Sequence, residues 1–194
     1  MSRNYKYHNP CGIYFVSFAV VFWISVFIRD NYSEIIIRHL KYAQKHKGLV
    51  LYGYCIMPNH VHLIFSSETN EPAKLLQSIK SSTSKEILTT IESNDTESRK
   101  EWMLWMFQHA VKKYNKTSKH QFWRNNNKPI ELWSNKVFDQ KLEYIHNNPV
   151  EEGFVEKPYF WKYSSARNYM INDNSIIDVE FGLRSYRPPS GTWR

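Results

Sequence analysis

Two histidines one residue apart, His60 and His62, lie inside an apolar run from Leu51 to Phe65. In an extended segment, side chains two apart share a face, so both imidazoles project from one wall while Val61, Leu63 and Phe65 line the other. Neutral imidazole is a common ligand for divalent metals, but two nitrogens alone hold an ion weakly. A metal site here needs at least one more oxygen or nitrogen ligand from elsewhere in the chain. On spacing alone, two solvent-facing strand residues describe the pair equally well. A second set of chemistry-bearing residues lies about eighty positions on. Ser134 or Asn135 caps a helix running to about Asn147, where Pro149 is expected to end it. At about 100° per residue, Phe138, Leu142 and Ile145 cluster as its buried face, Lys141, Tyr144 and Asn148 fall together on its flank, and His146 points elsewhere. Tyr144 and Asn148 are one turn apart, so a phenol and a carboxamide oxygen lie one above the other. If that flank faced the histidines, the site would hold a third ligand and a nucleophile.

The elements that must position these groups can be read in order. The 194 residues suit one core, with a domain expected over 1–172 and a tail over 173–194. Ile13 to Ile28, rich in Val, Ile, Phe and Trp, predicts one long strand or two bent near Ser25, buried on both faces. A helix follows from Asp30 or Asn31 to about Lys47, with Gly48 as its stop. Leu49 to Phe65 predicts a hairpin with Pro58 and Asn59 at the turn. Pro72 opens a second helix over Ala73 to Ile91. Strand, helix, strand, strand, helix is the order of an α+β split βαβ sandwich, an antiparallel sheet with helices packed on it. Ser93 to Ser98 is expected to be a disordered connector. Ile130 to Trp133 reads as a short extended piece.

Twenty-six Lys and Arg against 18 Asp and Glu give a net charge of +8, which favours a polyanionic partner, nucleic acid first and an anionic membrane surface second. The hydroxyl-rich stretch Lys80 to Lys85 is a poor helix former but a good set of phosphate donors, Lys80, Ser81 and Lys85 foremost. From Trp102 to Ile130 there is no acidic residue. Lys112, Lys113, Lys116, Lys119, Arg124 and Lys128 are interleaved there with Trp102, Trp105, Phe107, Tyr114, Phe122 and Trp123. Cations neutralise phosphates and flat rings stack on unpaired bases, a mixture suited to single-stranded or hairpin nucleic acid. Ile13 to Ile28 is shorter than the ~20 residues of a bilayer span and lacks a signal-peptide cleavage site, so a cytoplasmic protein is expected. Cys11 and Cys55 have neither zinc-site spacing nor a disulfide framework.

The run Met57 to Ile64 containing His60-Val61-His62, then Tyr144 to Val150, then Trp161 to Ala166, resembles the REP-associated tyrosine transposases of the HUH single-tyrosine superfamily. The similarity spans roughly Tyr14 to Tyr169. It implies a ferredoxin-like palm with the histidines on a central strand and the tyrosine on a helix beside it. It further implies Mg²⁺ or Mn²⁺ held by His60 and His62, Asn148 as third ligand by position, and Tyr144 as nucleophile. The expected activity is cleavage and rejoining of single-stranded, palindromic hairpin DNA through a 5′-phosphotyrosine, by a monomer or homodimer. One departure stands out: relatives commonly carry a basic residue after Asn-Pro-Val, where this chain has Glu151, Glu152 and Gly153. Lys141 has three readings, lowering the pKa of Tyr144, holding a phosphate, or plain solvation. Trp161, Tyr163, Ser164, Ser165 and Tyr169 read as packing and capping residues. The tail, with Arg184, Arg187, Pro188, Pro189 and Arg194, is compatible with disorder, with DNA contact or with folding back over the site. Two other functions fit the same sequence: a non-catalytic DNA- or RNA-binding protein derived from a transposase, and a metal-dependent nuclease that uses water.

Overall fold

A computed structural model describes residues 7–113, 119–125 and 127–182. The apolar stretch after Gly12 forms strand β1 (Tyr14–Ala19), much shorter than the strand expected over Ile13 to Ile28. It ends because the chain bends around the hairpin turn: the Val20 N–H donates to Asn59 O (2.9 Å) and the Phe27 N–H to Pro58 O (2.8 Å). Two short 3-10 turns, Val21–Trp23 and Val26–Ile28, lie between these anchors. Phe22 and Trp23 both take left-handed backbone angles, φ 54° and 56°. Such angles cost about 1–3 kcal/mol each for a residue other than glycine, so the surrounding bonds must hold them.

Helix α1 (Asp30–His46) stops where Gly48 supplies φ 65°, as the sequence predicts. Strands β2 (Leu49–Ile56) and β3 (His60–Ser67) make the hairpin, and α2 (Pro72–Ser93) opens on its proline. An element not foreseen follows, α3 (Lys100–Lys113), whose Met103, Phe107 and Ala110 recur at helical spacing and are buried. The chain then forms β4 (Ile130–Glu131), α4 (Asn135–Glu151) and a short α5 (Ala166–Ile171). The sheet order is β2-β3-β1-β4, antiparallel throughout. With α1 and α2 as the crossovers, this is the ferredoxin-like split βαβ arrangement, an α+β fold with α3 inserted before β4.

The pairing register assigns the faces. Tyr14, Val16 and Phe18 of β1 stand opposite Phe65, Leu63 and Val61 of β3 on the face covered by α1 and α2. All six are buried. Burying each large apolar side chain contributes about 1.5–3 kcal/mol, so this face carries the core. The other face holds Phe15, Ser17, Ala19, His60, His62 and Ile64, and α4 packs against it.

Two expectations need correction. Pro149 does not end α4. The helix continues to Glu151 and is closed by Glu152 N–H to Asn148 O (3.0 Å) and Phe154 N–H to Pro149 O (2.9 Å). A proline near the last turn forfeits only the one bond to the carbonyl four residues earlier, and Pro149 is buried in exchange. Nor is the connector after α2 disordered. Glu97 is buried there and ion-paired to Arg29 (2.7 Å) and Arg99 (3.0 Å), while Arg99 also donates to Ser25 O (2.8 Å).

Both flanks of the sheet carry further chain. Along β2, Ser165 N–H donates to Tyr54 O (2.9 Å), Ile56 N–H to Tyr163 O (2.9 Å), and Glu180 N–H to Leu51 O (2.8 Å). Along the end of β1, Arg124 N–H donates to Ala19 O and Val21 N–H to Phe122 O, both 2.8 Å. Residues 173–182 thus run back along the domain with Ile177 and Val179 buried. Arg184, Arg187, Pro188, Pro189 and Arg194 lie outside the described residues. Among the described residues no helix is long and apolar enough to cross a membrane.

Candidate active site

A β-bulge prepares the α4 face. Leu51 pairs with Phe65 and Gly53 with Ile64, leaving Tyr52 extra. Tyr52 and Gly53 both turn toward α4. The Tyr52 ring lies 6.0 Å from that of Phe138, and a Cβ on Gly53 would come within 3.0 Å of Leu142 Cδ1 and 3.1 Å of Ile145 Cδ1. The missing side chain lets α4 settle close to the sheet, which brings Tyr144 and Asn148 down onto the histidines.

His60 and His62 meet with their Nε2 atoms 2.9 Å apart. Asn59 Oδ1 lies 2.6 Å from His60 Nδ1 and accepts its proton, so a neutral His60 presents the Nε2 lone pair to the site. His62 stacks on Phe15 at 5.7 Å and is only 2% exposed. Burial lowers the pKa of His60 to about 4 against the opposing pull of the Asn148 carboxamide. Burial, helped by His60 and Lys141 and opposed by Asn148, takes His62 to about 3. Both rings are therefore neutral at physiological pH, the form that ligates a metal. Asn148 is buried against both of them.

Tyr144 is 40% exposed and stands edge-on to His62 (5.5 Å) and Phe15 (6.0 Å). The Lys141 ammonium lies 5.4 Å from the Tyr144 ring and 5.2 Å from that of Phe15, held by cation–π attraction. Burial raises the pKa of Tyr144, and the Glu151 and Glu152 carboxylates add to the rise. The phenol keeps its proton until something at the site compensates.

The fit to a divalent ion rests on atoms left without protein partners. His62 Nδ1 and Asn148 Oδ1 are buried with no hydrogen bond. An unpaired buried carboxamide oxygen costs about 1–3 kcal/mol, and a cation would remove that cost. Among the described residues no cluster of three His, Cys, Asp or Glu exists, so the donor set is two imidazoles and one amide oxygen. Nitrogen and oxygen donors of this kind suit a divalent first-row or magnesium-like ion.

The expected nucleic-acid contacts are distributed unevenly. Arg124 lies 5.0 Å over the Trp23 ring, and Trp23 packs edge-on against His60 at 5.9 Å. Lys80 reaches the same sheet margin, donating to Asn127 Oδ1 (2.9 Å) and Arg124 O (3.4 Å). Ser81 and Lys85 are exposed or nearly so on α2, across the sheet from the histidines. The hydroxyls between them are engaged: Ser82, Thr83 and Ser84 donate to carbonyls one turn back, and Thr83 is buried against the Trp123 indole N–H. Among the interleaved aromatics, Phe107, Phe122 and Trp123 belong to the core, whereas Trp102 and Trp105 are exposed. The side chains of Lys112 and Lys113, and Tyr114 and Lys116 altogether, lie outside the described residues. Three neighbours of the site escaped the sequence: Asn59, which reads as a turn residue, and Phe15 and Trp23, which read as buried strand. The adjacency of Asn59 to His60 was the one available signal.

A four-stranded ferredoxin-like sheet with a histidine pair on its central strand and a tyrosine helix over that strand defines a recognisable class of fold and site. The structure of a REP-associated tyrosine transposase bound to a REP hairpin matches it with a TM-score of 0.62 at 14% identity, over 96% of this chain and 100% of that one. A candidate transposase from Deinococcus radiodurans R1 matches with a TM-score of 0.43 at 17% identity, over 76% of this chain and 95% of that one. No curated protein matches at a significant level. The family model described as IS200-like transposase matches residues 24–123, just over half of the chain. The protein belongs to the IS200-like transposase family.

Proposed function

We propose that this transposase cleaves and rejoins single-stranded hairpin DNA through a covalent 5′-phosphotyrosine at Tyr144, with a divalent ion held by His60, His62 and Asn148. The observation that carries the reading is the convergence of a solvent-accessible phenol, two neutral imidazoles and an unpartnered amide oxygen on one face of one sheet. When bound there, Mg²⁺ or Mn²⁺ supplies Lewis-acid stabilisation of charge on a non-bridging phosphate oxygen. Tyr144 Oη attacks phosphorus, the Oη–P bond forms and the P–O3′ bond breaks. The phenol loses its proton and the departing 3′-oxygen gains one. The phosphotyrosine is itself a phosphodiester, so a 3′-hydroxyl can reverse the step without ATP. Lys141, one turn before Tyr144 and 5.4 Å from its ring, supplies positive charge where the strand's phosphate enters.

The test is a denaturing gel of protein incubated with end-labelled single-stranded hairpin DNA and Mn²⁺. Wild type gives a labelled, slower-migrating protein band that Tyr144→Phe loses entirely. Cleavage that survives in Tyr144→Phe without any protein-linked label would make water the nucleophile and refute the tyrosine reading.

A further inference from the structure

Trp23 is one of the least economical residues in the chain. It is large, apolar and 52% exposed, and it is held by two consecutive left-handed residues that no glycine relieves. The backbone bonds that impose this conformation clamp the loop to the turn carrying Asn59 and His60. The indole is thereby fixed beside the site, edge-on to His60 at 5.9 Å, with the Arg124 guanidinium 5.0 Å from its ring centre. A second group of rings starts at the neighbouring residue. Phe22 lies 6.2 Å from His109, and His109 stacks on Trp105 at 5.4 Å and 16°. Trp105 is itself 58% exposed. Two aromatic groups thus flank the consecutive left-handed residues: Trp23 beside His60, and Phe22, His109 and Trp105 leading to the outer surface of α3, with Arg124 and Lys80 beside Trp23.

From this arrangement we infer that Trp23 is a base-stacking platform for the unpaired nucleotide next to the scissile phosphate. The inference rests on the proposed strand transfer and adds a polarity to it. Tyr144 packs against His62, whereas Trp23 packs against His60 on the far side of the pair. In an in-line displacement the leaving oxygen departs opposite the nucleophile. The strand over Trp23 is then the one that ends in the new 3′-hydroxyl. Stacking tolerates any base, and Arg124 supplies the phosphate contact beside it.

The experiment uses the full chain carrying Tyr144→Phe, so that binding is read without chemistry, and fluorescein-labelled dT20 as probe, by anisotropy over a range of salt concentrations. Adding Trp23→Leu should weaken binding about tenfold at every salt concentration with no change of salt slope, because stacking releases no counterions. Trp23→Phe should restore most of the affinity, and Arg124→Gln should instead flatten the slope. Unchanged affinity in Trp23→Leu, equal losses in Trp23→Leu and Trp23→Phe, or no binding of dT20 by the parent would each overturn the platform. For polarity, 2-aminopurine placed immediately 5′ of the cleavage position mapped on the gel should be quenched in the parent and not in Trp23→Leu. Quenching only on the 3′ side would reverse the assignment. A parent that shows the stacking signature while wild type forms no adduct on any hairpin would count against the strand-transfer reading and leave the platform standing.

Discussion

On the α1 and α2 face of the sheet, Val16, Val61, Leu63 and Phe65 are sealed among apolar neighbours, whereas the α4 face carries Ser17, Gly53, Cys55 and two histidines. These four side chains are wholly apolar and fully buried. The α4 face keeps a half-exposed phenol and two buried polar atoms without partners. Stability and chemistry are thus loaded onto opposite sides of the same strands, and β3 carries both by alternation alone. A change on one side should move one property with little effect on the other, apart from residues that set the gap between α4 and the sheet.

The sharpest way to break that comparison is Leu63→Ala. A large-to-small change at a fully buried position should cost about 2–5 kcal/mol in denaturant unfolding. Adduct formation per folded molecule should stay at the wild-type level. If adduct formation fell in proportion to stability, the two faces would not be separable. Asn59→Ala probes the other side. Without its acceptor the His60 ring loses the contact that fixes its tautomer, and removal of such an outer partner typically weakens metal affinity about 10- to 100-fold. Titration with Mn²⁺ followed by calorimetry would read this, with the unfolding midpoint expected to hold steady. Gly53→Ala should fall between the two, costing about 1–3 kcal/mol through overpacking against Leu142 and Ile145. It should also slow adduct formation by lifting Tyr144 off His62, and an unaltered rate would show that α4 has slack.

The remaining prediction is one of pH and concerns the Glu97 cluster. Burial opposes ionisation of Glu97, but hydrogen bonds from Arg99 and the charges of Arg99 and Arg29 outweigh it and hold the carboxyl at about 2 instead of the usual 4.5. A depressed carboxyl stabilises the fold fully above its unfolded pKa. Its contribution is therefore intact at pH 7 and should drain away as pH falls from about 4.5 toward 2. Glu97→Gln should flatten the stability curve in that window.

How much of this could be read beforehand depended on whether a feature was local. The hairpin, the stop of α1 at Gly48 and the heights of Tyr144 and Asn148 on one helix follow from periodicity and turn chemistry within a few residues. The end of β1 does not. Val20 to Ile28 is as apolar as the strand before it, and hydrogen bonds to distant residues, among them Asn59, Pro58 and Phe122, bend it away. That is why Trp23 reads as buried strand while standing exposed at the site. The hydroxyls after Lys80 present the reverse case. Their composition suggests phosphate donors, yet a helix supplies carbonyls one turn back that take the same protons. Pro149 shows a rule applied too strictly, since a helix near its end loses little by one missing bond. The proposed third donor, Asn148, stands out in the sequence only by its position, because an asparagine announces a ligand less clearly than an acid would.

The chain laid along the flanks of the sheet has a consequence for how two molecules can meet. Exposed sheet margins are where proteins extend one another, strand to strand, into shared sheets or aggregates. Here the carbonyls of Leu51 and Tyr54 and the amide of Ile56 on β2 already have partners within the molecule. The opposite margin is taken up by Phe122 to Arg124 and by a β4 only two residues long. Among the described residues, a second copy finds little backbone along these margins to join.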